Sequence, residues 1–419
     1  MSSIVFDLIE EEKYRQENEV CLIASENYVS ADVLKAQGSI LTNKYAEGYP
    51  GKRYYGGCNV VDKIEQYAID KCKELFKCKW ANVQPHSGSQ ANQAVYNALL
   101  NPGDKILSMS LDAGGHLTHG AKVSSTGKLY NVVHYGLDEN GFINYEEIKN
   151  KLYEYNPRIV VAGASAYPRI IDFERIRKIV DEYNEKCTYE GYKNYLVREY
   201  DNKGMARPQS MMSFYNSYCY LMVDMAHIAG LVATGYHVSP LLYADVVTST
   251  THKTLRGPRG GIIVSNNEEL GKKIDKSVFP GIQGGPLLHI IAAKAICFEE
   301  ALQENYENYI KQVLFNIKAF EKVFNDNNIK MISGGSDNHL LLLDLRDTGV
   351  TGRQLEEALQ EKGIIVNKNK IQNDPLPATE CSGIRLGTAA VTTMGYTCDD
   401  CVKVAEEIVN TIKHLRERN

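Results

Sequence analysis

The feature that most constrains the fold is an alternation of short apolar runs with segments of helical periodicity. Strands that alternate with helices predict a mostly parallel sheet covered by helices on both faces. In such sheets ligands bind at the carboxyl ends of the strands, so the polar residues after each run are candidate site residues. The apolar runs lie within residues 104–111, 158–165, 219–227 and 244–253, with a further strand predicted at 260–265.

The pattern changes after the segment FPGIQGGPL at residues 279–287. A long helical stretch is predicted from about residue 292 to 325, followed by mixed strand and helix patterns that indicate a smaller α+β domain. A polar, tyrosine-rich stretch at about 184–217 separates a helix from the next strand. Connections between helices and strands are usually 2–6 residues long, so this stretch is interpreted as an insertion.

Charge and composition narrow the functional classes. With 43% hydrophobic residues, 24% charged residues and a net charge of -5, the chain is typical of a globular protein and unlike a general nucleic-acid binder. No apolar run is long enough for a membrane span, and the acidic N-terminus does not resemble a targeting peptide. We therefore expect a cytoplasmic protein with no membrane or nucleic-acid partner.

The ten cysteines are scattered and do not form a disulfide framework. Cys398 and Cys401 form one CxxC pair, but no second pair or histidine cluster follows at metal-ligand spacing. This segment is interpreted as the start of an amphipathic helix, and no metal site is predicted.

A lysine and an aspartate follow two of the predicted strands. Lys253 lies among hydroxyl residues in VVTSTTHK, and a crowded lysine can become a neutral nucleophile that condenses with carbonyls. Asp224 ends the apolar strand LMVD, where an unpaired carboxylate is costly. A protonated pyridine nitrogen of pyridoxal phosphate (PLP) is one candidate partner for Asp224. A structural ion pair and a metal ligand are the alternatives.

Other segments contain groups that suit such a cofactor. Ser87 to Asn92 opens a helix with small and hydroxyl residues, and a helix N-terminus favours a phosphate, although ordinary helix caps look the same. The glycines Gly284 and Gly285 could add backbone donors. His116 has the ring type needed for stacking, and Arg385 could bind a carboxylate.

Taken together, these segments resemble the serine hydroxymethyltransferase family. The resemblance extends from about residue 6 to the C-terminus, excluding the insertion. It rests on LIASENYVS, NKYAEGYPGKRYYGG, PHSGSQAN, GGHLTHG, VDMAHIAGLVA, THKTLRGPRGG, FPGIQGGPL and SGIRLGT.

The resemblance implies a PLP-dependent transferase of fold type I, with a mostly parallel sheet in a large domain and a smaller C-terminal α+β domain. It implies an N-terminal arm at 1–53 that contacts a partner subunit, a large domain at 54–290 and a small domain at 291–419. The implied reaction is the reversible conversion of L-serine and tetrahydrofolate to glycine and methylene-tetrahydrofolate, as in glycine biosynthesis and one-carbon metabolism. A homodimer is the minimum assembly, and a tetramer is also open.

The resemblance also assigns roles to individual residues. Lys253 would hold PLP as the internal aldimine, with Asp224 at the pyridine nitrogen and His116 stacked on the ring. The other implied cofactor-binding residues are Ser87, Gly88, Ser89, Ser165, His227, Gly284 and Gly285. The implied catalytic residues besides Lys253 are Glu47, His252, Thr250 and Tyr55, with Arg259 as a supporting charge. The implied substrate-binding residues are Ser25, Tyr45, Glu47, Tyr54, Leu111, Gly115, Leu117, Asn369 and Arg385.

The chain departs from the family pattern in three places, and the first of these bears on folate use. Pro377, Ala378 and Thr379 stand where the family commonly has Ser-Pro-Phe in a folate-contacting loop. Met394 replaces a common arginine, and Ser249 replaces a common threonine. The altered loop keeps open an alternative function, a folate-independent PLP aldolase acting on threonine-like β-hydroxy amino acids.

Overall fold

The computed structural model describes residues 3–201 and 218–418, with the backbone alone for 188–201. Strands and helices alternate through most of the chain, which confirms the predicted α/β fold class. The strands are β1 Val20–Cys21, β2 Gly48–Tyr49, β3 Lys52–Arg53, β4 Trp80–Asn82, β5 Lys105–Met109, β6 Asn131–Tyr135, β7 Ile159–Ala162, β8 Tyr220–Asp224, β9 Val246–Thr250, β10 Gly261–Ser265, β11 Leu340–Asp344, β12 Ile364–Ile365, β13 Asn367–Asn369 and β14 Gly383–Gly387.

The helices cover both faces of the central sheet and build the C-terminal part. The first seven are α1 Ile4–Asn18, α2 Ala31–Gln37, α3 Asn59–Phe76, α4 Gly88–Leu99, α5 Ser125–Leu129, α6 Tyr145–Tyr155 and α7 Phe173–Asp201. The later ones are α8 Ala229–Ala233, α9 Glu268–Lys276, α10 Leu288–Ala301, α11 Glu304–Asp326, α12 Gly352–Gln360, α13 Ala389–Thr393 and α14 Cys398–Arg418.

The central sheet has the strand order β4-β10-β9-β8-β7-β5-β6. The neighbours β9, β8, β7, β5 and β6 pair in parallel, as predicted. Strand β10 is antiparallel to both β9 and β4. Residues 251–260 connect β9 to β10, and so short a segment permits a reversal but leaves no room for a crossover helix. The strand predicted at 260–265 is therefore present in the reversed direction.

Both faces of this sheet are buried, because each central strand is apolar at consecutive positions. In β7, Ile159 packs into the core on one face and Val160 into the core on the other. Helix α10 packs against α3 in the larger of these cores. Burial on both faces is typical of parallel sheets and leaves the strand ends as the place for polar side chains.

The C-terminal part has a core of its own. An antiparallel sheet in the order β11-β14-β13 packs against α11, α12 and α14, with Leu343 and Phe320 among its buried residues. Leu22 joins this core, and the adjoining β1 pairs with β12. The predicted helix after Cys398 is confirmed as α14. The division of the chain at residues 53 and 290 stays a prediction.

Helix α7 changes the interpretation of the predicted insertion. The polar stretch was expected to leave the helix near residue 184, but α7 continues to Asp201. The reason is local: residues 184–201 contain no proline and several good helix formers, among them glutamate, lysine, leucine and arginine. The remainder of the stretch, 202–217, lies outside the described residues.

Three further properties concern the described ranges as a whole. All ten cysteines lie within them and are free thiols. No helix within 3–201 or 218–418 is long and apolar enough to cross a bilayer. The same residues contain no cluster of histidine, cysteine and carboxylate side chains suited to a metal ion.

Gly163 links the fold to the site, because it follows β7 and contacts the end of β8. Its φ is +107°, and a Cβ atom there would lie 2.0 Å from the carbonyl oxygen of Asp224. Gly235 also has a positive φ of +80°, but a Cβ atom there would contact nothing within 4 Å. An alanine would therefore have a strained backbone at either position, but only at position 163 would its Cβ atom also lack space.

We predict that Gly163→Ala lowers the free energy of unfolding by roughly 1–3 kcal/mol more than Gly235→Ala, because only the first adds overpacking to strain. Urea unfolding of the two variants measures the difference. Equal losses would show that the contact between Gly163 and Asp224 does not restrict the strand ends.

Candidate active site

A cavity of about 240 Å³ opens at the carboxyl edge of the central sheet. It collects side chains that are far apart in the sequence, from the ends of β8 and β9, the start of α4 and the loop after β5. Its lining residues are Ser25, Ser87, Gly88, Ser89, His116, His119, Ala164, Ser165, Asp224, Ala226, His227, Thr250, His252, Lys253 and Arg259. Most of the residues predicted for the cofactor are therefore brought together.

Lys253 is the buried amine of this cavity. Its side chain is 8% exposed, and Nζ donates a hydrogen bond of 3.3 Å to Oγ1 of Thr250. Burial lowers the pKa of Lys253 to about 8, which the nearby Asp224 partly opposes and Arg385 and Arg259 reinforce. About a tenth of the amine is thus neutral at pH 7, and only the neutral form is nucleophilic.

Asp224 is the carboxylate of this cavity, and two side chains hold it in place by hydrogen bonds. Its Oδ2 accepts hydrogen bonds from Nδ2 of Asn92 at 2.9 Å and from Nε2 of His119 at 3.1 Å. Burial would raise the pKa of Asp224, but the hydrogen bonds from His119 and Asn92 help to keep it below its ordinary value. The carboxylate is therefore ionised and fixed in place.

Hydrogen bonds determine the tautomers of the two histidines beside Asp224. The backbone N–H of His116 donates to Nδ1 of His119, so Nε2 of His119 carries the proton that is donated to Asp224. The backbone N–H of Thr118 donates to Nδ1 of His116, so this nitrogen is an acceptor and Oγ1 of Thr118 donates to it. Burial lowers the pKa of His116 to about 4, so this ring is neutral and can stack.

The start of α4 forms a small anion-binding cup, which consists of Ser87, Gly88 and Ser89. Oγ of Ser87 caps the helix by accepting from the backbone N–H of Gln90 at 3.2 Å. The N–H groups of the first turn have no acceptor within the helix and are available to an anion. A Cβ atom on Gly88 would lie 2.6 Å from Cγ2 of Thr250, so the cup approaches β9 closely only because residue 88 is glycine.

Arg385 lies on β14 of the C-terminal sheet and does not itself line the cavity, but it is bonded to Ser165, which does. Its Nη1 donates to the backbone oxygen of Ser165 at 2.8 Å, and its Nε donates to Oδ1 of Asn367 at 3.1 Å. Asn367 lies directly opposite Arg385 in the pairing of β13 with β14. Burial lowers the pKa of Arg385 to about 10, which still leaves the guanidinium charged at neutral pH. The fork is thus oriented before any carboxylate arrives.

His227 lines the cavity and is supported by a second histidine behind it. The rings of His227 and His339 stack with centroids 5.4 Å apart, and Nδ1 of His227 lies 3.3 Å from Nε2 of His339. Nε2 of His339 is also 3.2 Å from the backbone oxygen of Ala24. Since a carbonyl only accepts, Nε2 of His339 carries a proton, and Nδ1 of His227 faces it as an acceptor.

Two other residues predicted for the substrate line a different cavity, of about 560 Å³. Glu47 and Tyr54 face residues 279–284 there. A Cβ atom on Gly284 would be 3.2 Å from Oε1 of Glu47, and one on Gly285 would contact the ring of Tyr45. The rings of Tyr45 and Tyr55 pack edge to face, 5.2 Å apart. This second group is therefore assembled in one chain but does not line the Lys253 cavity.

The remaining predicted residues lie near the edges of the site. Leu111, Gly115 and Leu117 belong to the loop after β5 that carries His116, and both leucines are exposed. Asn369 lies on β13, paired with Gly383 two residues before Arg385. None of these four residues lines the described Lys253 cavity.

Sequence reasoning missed four supporting residues: Asn92, His119, His339 and Asn367. A signal existed for the first two, because they lie inside the motifs PHSGSQAN and GGHLTHG. For His339 and Asn367 the sequence carries no local signal, because their partners are more than a hundred residues and eighteen residues away, respectively.

The fold and this cavity define the class of protein. An α/β chain that brings a buried amine, an ionised carboxylate, a stackable imidazole and an anion cup to one sheet edge has the arrangement of a PLP enzyme of fold type I.

Comparison with known proteins makes the class specific. A family model described as serine hydroxymethyltransferase matches residues 1–188 and 211–408. A serine hydroxymethyltransferase of Lactobacillus johnsonii is 52% identical over 413 residues, covering 98% of this chain and 92% of that protein. Another from Rickettsia prowazekii is 51% identical over 423 residues, covering 100% of this chain and 93% of that protein. The chain belongs to the serine hydroxymethyltransferase family.

Family membership confirms the recognition made from the motifs. Enzymes of this family are PLP-dependent transferases that use tetrahydrofolate as co-substrate. The family model leaves residues 189–210 unmatched, and this gap falls inside the predicted insertion at 184–217.

We predict that PLP attaches to the cofactor-free protein faster as the pH rises toward about 8, the pKa of Lys253, and then levels off. Below that pH, each unit lowers the neutral fraction of the amine about tenfold. Stopped-flow absorbance across the range measures the midpoint. A midpoint near the ordinary lysine value of 10.5 would contradict the burial of this amine.

Proposed function

We propose that this chain interconverts L-serine plus tetrahydrofolate with glycine plus methylene-tetrahydrofolate, using PLP bound at Lys253. One observation carries the proposal: Lys253 and Asp224 line one cavity whose other walls suit a ring and a phosphate, and the guanidinium of Arg385 is bonded to Ser165 of its wall. Membership in the serine hydroxymethyltransferase family supports the choice of reaction.

The residues present fit the cofactor. The amine of Lys253 suits its aldehyde, the carboxylate of Asp224 suits a protonated ring nitrogen, and the cup at Ser87 to Ser89 suits its phosphate. Nδ1 of His252 is buried and has no hydrogen-bond partner among the described residues. This nitrogen can therefore still form a hydrogen bond. When bound, PLP supplies an electron sink for the negative charge that bond cleavage leaves at Cα of the amino acid.

Asp224 would keep a proton at the ring nitrogen. An ionised carboxylate at a buried site stabilises a positive partner strongly, and the hydrogen bonds from Asn92 and His119 stop Asp224 from turning away. His116 would lie over the ring as a neutral imidazole. His227 would present its protonated Nε2 toward the cavity, since its Nδ1 faces the proton on His339.

Arg385 would bind the substrate carboxylate and orient the amino acid. Its guanidinium already donates to Ser165 and Asn367, so its remaining N–H groups have a fixed direction. Ser25 lines the Lys253 cavity and would assist. A fixed carboxylate determines which bond at Cα stands perpendicular to the ring, so positioning selects the reaction. Thr250, within hydrogen-bond distance of Lys253, would hold the amine after it is displaced.

We further propose a homodimer as the working unit. Glu47, Tyr45, Tyr54, Tyr55 and the pair Gly284-Gly285 form a separate group, which would complete the Lys253 cavity of a second copy. Helix α1 supports an intersubunit contact because it has no buried residue, and its apolar side chains are 52–72% exposed from Ile4 to Ile9. In that dimer Glu47 would exchange a proton with the substrate hydroxyl or the folate.

A cytoplasmic location is part of the proposal. Its support is the set of ten free thiols, which suits a reducing compartment.

We predict that Asp224→Asn lowers folate-dependent serine turnover by at least about 10²-fold while the cofactor stays attached, because the amide keeps the shape but loses the charge. Asp275→Asn is the matched control. That half-buried carboxylate accepts from Trp80 and Asn82 and lines a different cavity, so turnover should stay within about threefold. Equal losses in the two variants would contradict the role of Asp224.

We predict that the holoenzyme with glycine develops a strong long-wavelength absorption band only after tetrahydrofolate is added. The folate and glycine would together favour loss of a proton at Cα. A spectrum with glycine alone, then with folate, measures this directly. A band independent of folate, together with cleavage of threonine-like substrates, would favour the folate-independent aldolase, which the exposed loop Pro377–Thr379 left open.

A further inference from the structure

Lys294 is a buried cation that the proposed chemistry does not use. It lies on α10, is 1% exposed, and is among the largest fully buried side chains described. Its neighbours along the helix, Ala293, Ala295 and Phe298, are apolar core residues. A buried ammonium is costly unless all its N–H groups are satisfied, so its surroundings must compensate.

Three backbone carbonyls compensate this charge. Nζ donates to the oxygens of Val83 at 2.7 Å, Pro85 at 3.0 Å and Gly261 at 2.8 Å. Three acceptors match the three N–H bonds of an ammonium, whereas a neutral amine has only two. Burial lowers the pKa of Lys294 to about 7, and the nearby Cys72, Glu65 and Cys297 oppose that change.

The three carbonyls belong to the two backbone segments that lie beside the anion cup. Val83 and Pro85 lead directly into Ser87, and Gly261 opens the neighbouring strand β10. The N–H of Gly261 donates to the oxygen of Pro85, and a Cβ atom on Gly261 would lie 2.4 Å from the oxygen of Ser87. Lys294 therefore links residues 83–85 to Gly261 at the point where both lie next to the cup.

A neutral side chain completes the attachment of the same segment. Oε1 of Gln283 accepts from the backbone N–H of His86 at 3.0 Å, and its Nε2 donates to the oxygen of Gln84 at 3.0 Å. The backbone from Val83 to His86 is thus held by Lys294 and Gln283 together. Loss of Lys294 would remove one hydrogen bond from each of the three carbonyls and free the segment to shift.

We propose that Lys294 is a positioning residue for the cofactor phosphate: its ammonium fixes the backbone of residues 83–85 and 261, so that Ser87, Gly88 and Ser89 present their donors correctly. This inference rests on the proposed PLP site. It assigns Lys294 no contact with the cofactor, and its effect is confined to the phosphate end. Pyridoxal, which lacks the phosphate, should therefore be bound without help from Lys294.

The test compares two ligands on the full chain freed of cofactor. PLP and pyridoxal are titrated by absorbance into wild type, Lys294→Met and Lys294→Gln. For Lys294→Met we expect the affinity for PLP to fall at least about tenfold and that for pyridoxal less than about threefold. Lys294→Gln keeps two N–H donors, so its preference for PLP over pyridoxal should fall by a smaller but measurable factor. This variant also provides the test if Lys294→Met does not fold.

Phe298→Leu is the matched control, because it disturbs the core of the same helix one turn further on without removing a bond to the cup. It should leave the ratio of the two affinities at the wild-type value. Equal losses for both ligands in the Lys294 variants, or an unchanged ratio in Lys294→Gln, would overturn the inference. Failure of wild type to bind PLP would instead refute the proposed function.

Discussion

The site depends on two neighbouring parallel strands that end at the same edge of the sheet. Strands β8 and β9 pair in parallel, with Asp224 aligned on Thr248. Asp224 is the last residue of β8, and Lys253 follows three residues after the end of β9. Side chains that follow neighbouring parallel strands share one crevice at the end of the sheet. The carboxylate of Asp224 and the amine of Lys253 therefore lie on the walls of the same crevice without forming a direct salt bridge.

The charged side chains Asp224, Arg385 and Lys253 are stable at this edge because each has its own hydrogen-bond partners. Asp224 is held by Asn92 and His119, and Arg385 by Ser165 and Asn367. Lys253 is the least restrained of the three, with one long hydrogen bond to Thr250. A weakly held amine among firmly held charges is well suited to an exchangeable attachment point, since little must be broken when it moves.

Much of this could be predicted from the sequence, for identifiable reasons. The apolar runs and their polar ends predict the parallel sheet and the proximity of Lys253 and Asp224, because that proximity follows from topology alone. Supporting contacts such as that of His339 depend on how loops from distant segments meet, and no local pattern encodes this. Lys294 looks like an ordinary helical lysine in the sequence, because its acceptors are backbone atoms. The extension of α7 was missed because polarity was given more weight than helix propensity.

The central claim is that the amine of residue 253 is the point at which the cofactor is attached. The most direct measurement is borohydride reduction of the purified holoprotein, followed by proteolysis and mass spectrometry of the labelled peptide. The account predicts a single pyridoxyl-modified lysine, in the peptide that contains THKTLR, and no modification of Lys294. Labelling of another lysine, or a protein that retains no cofactor in excess PLP, would contradict it.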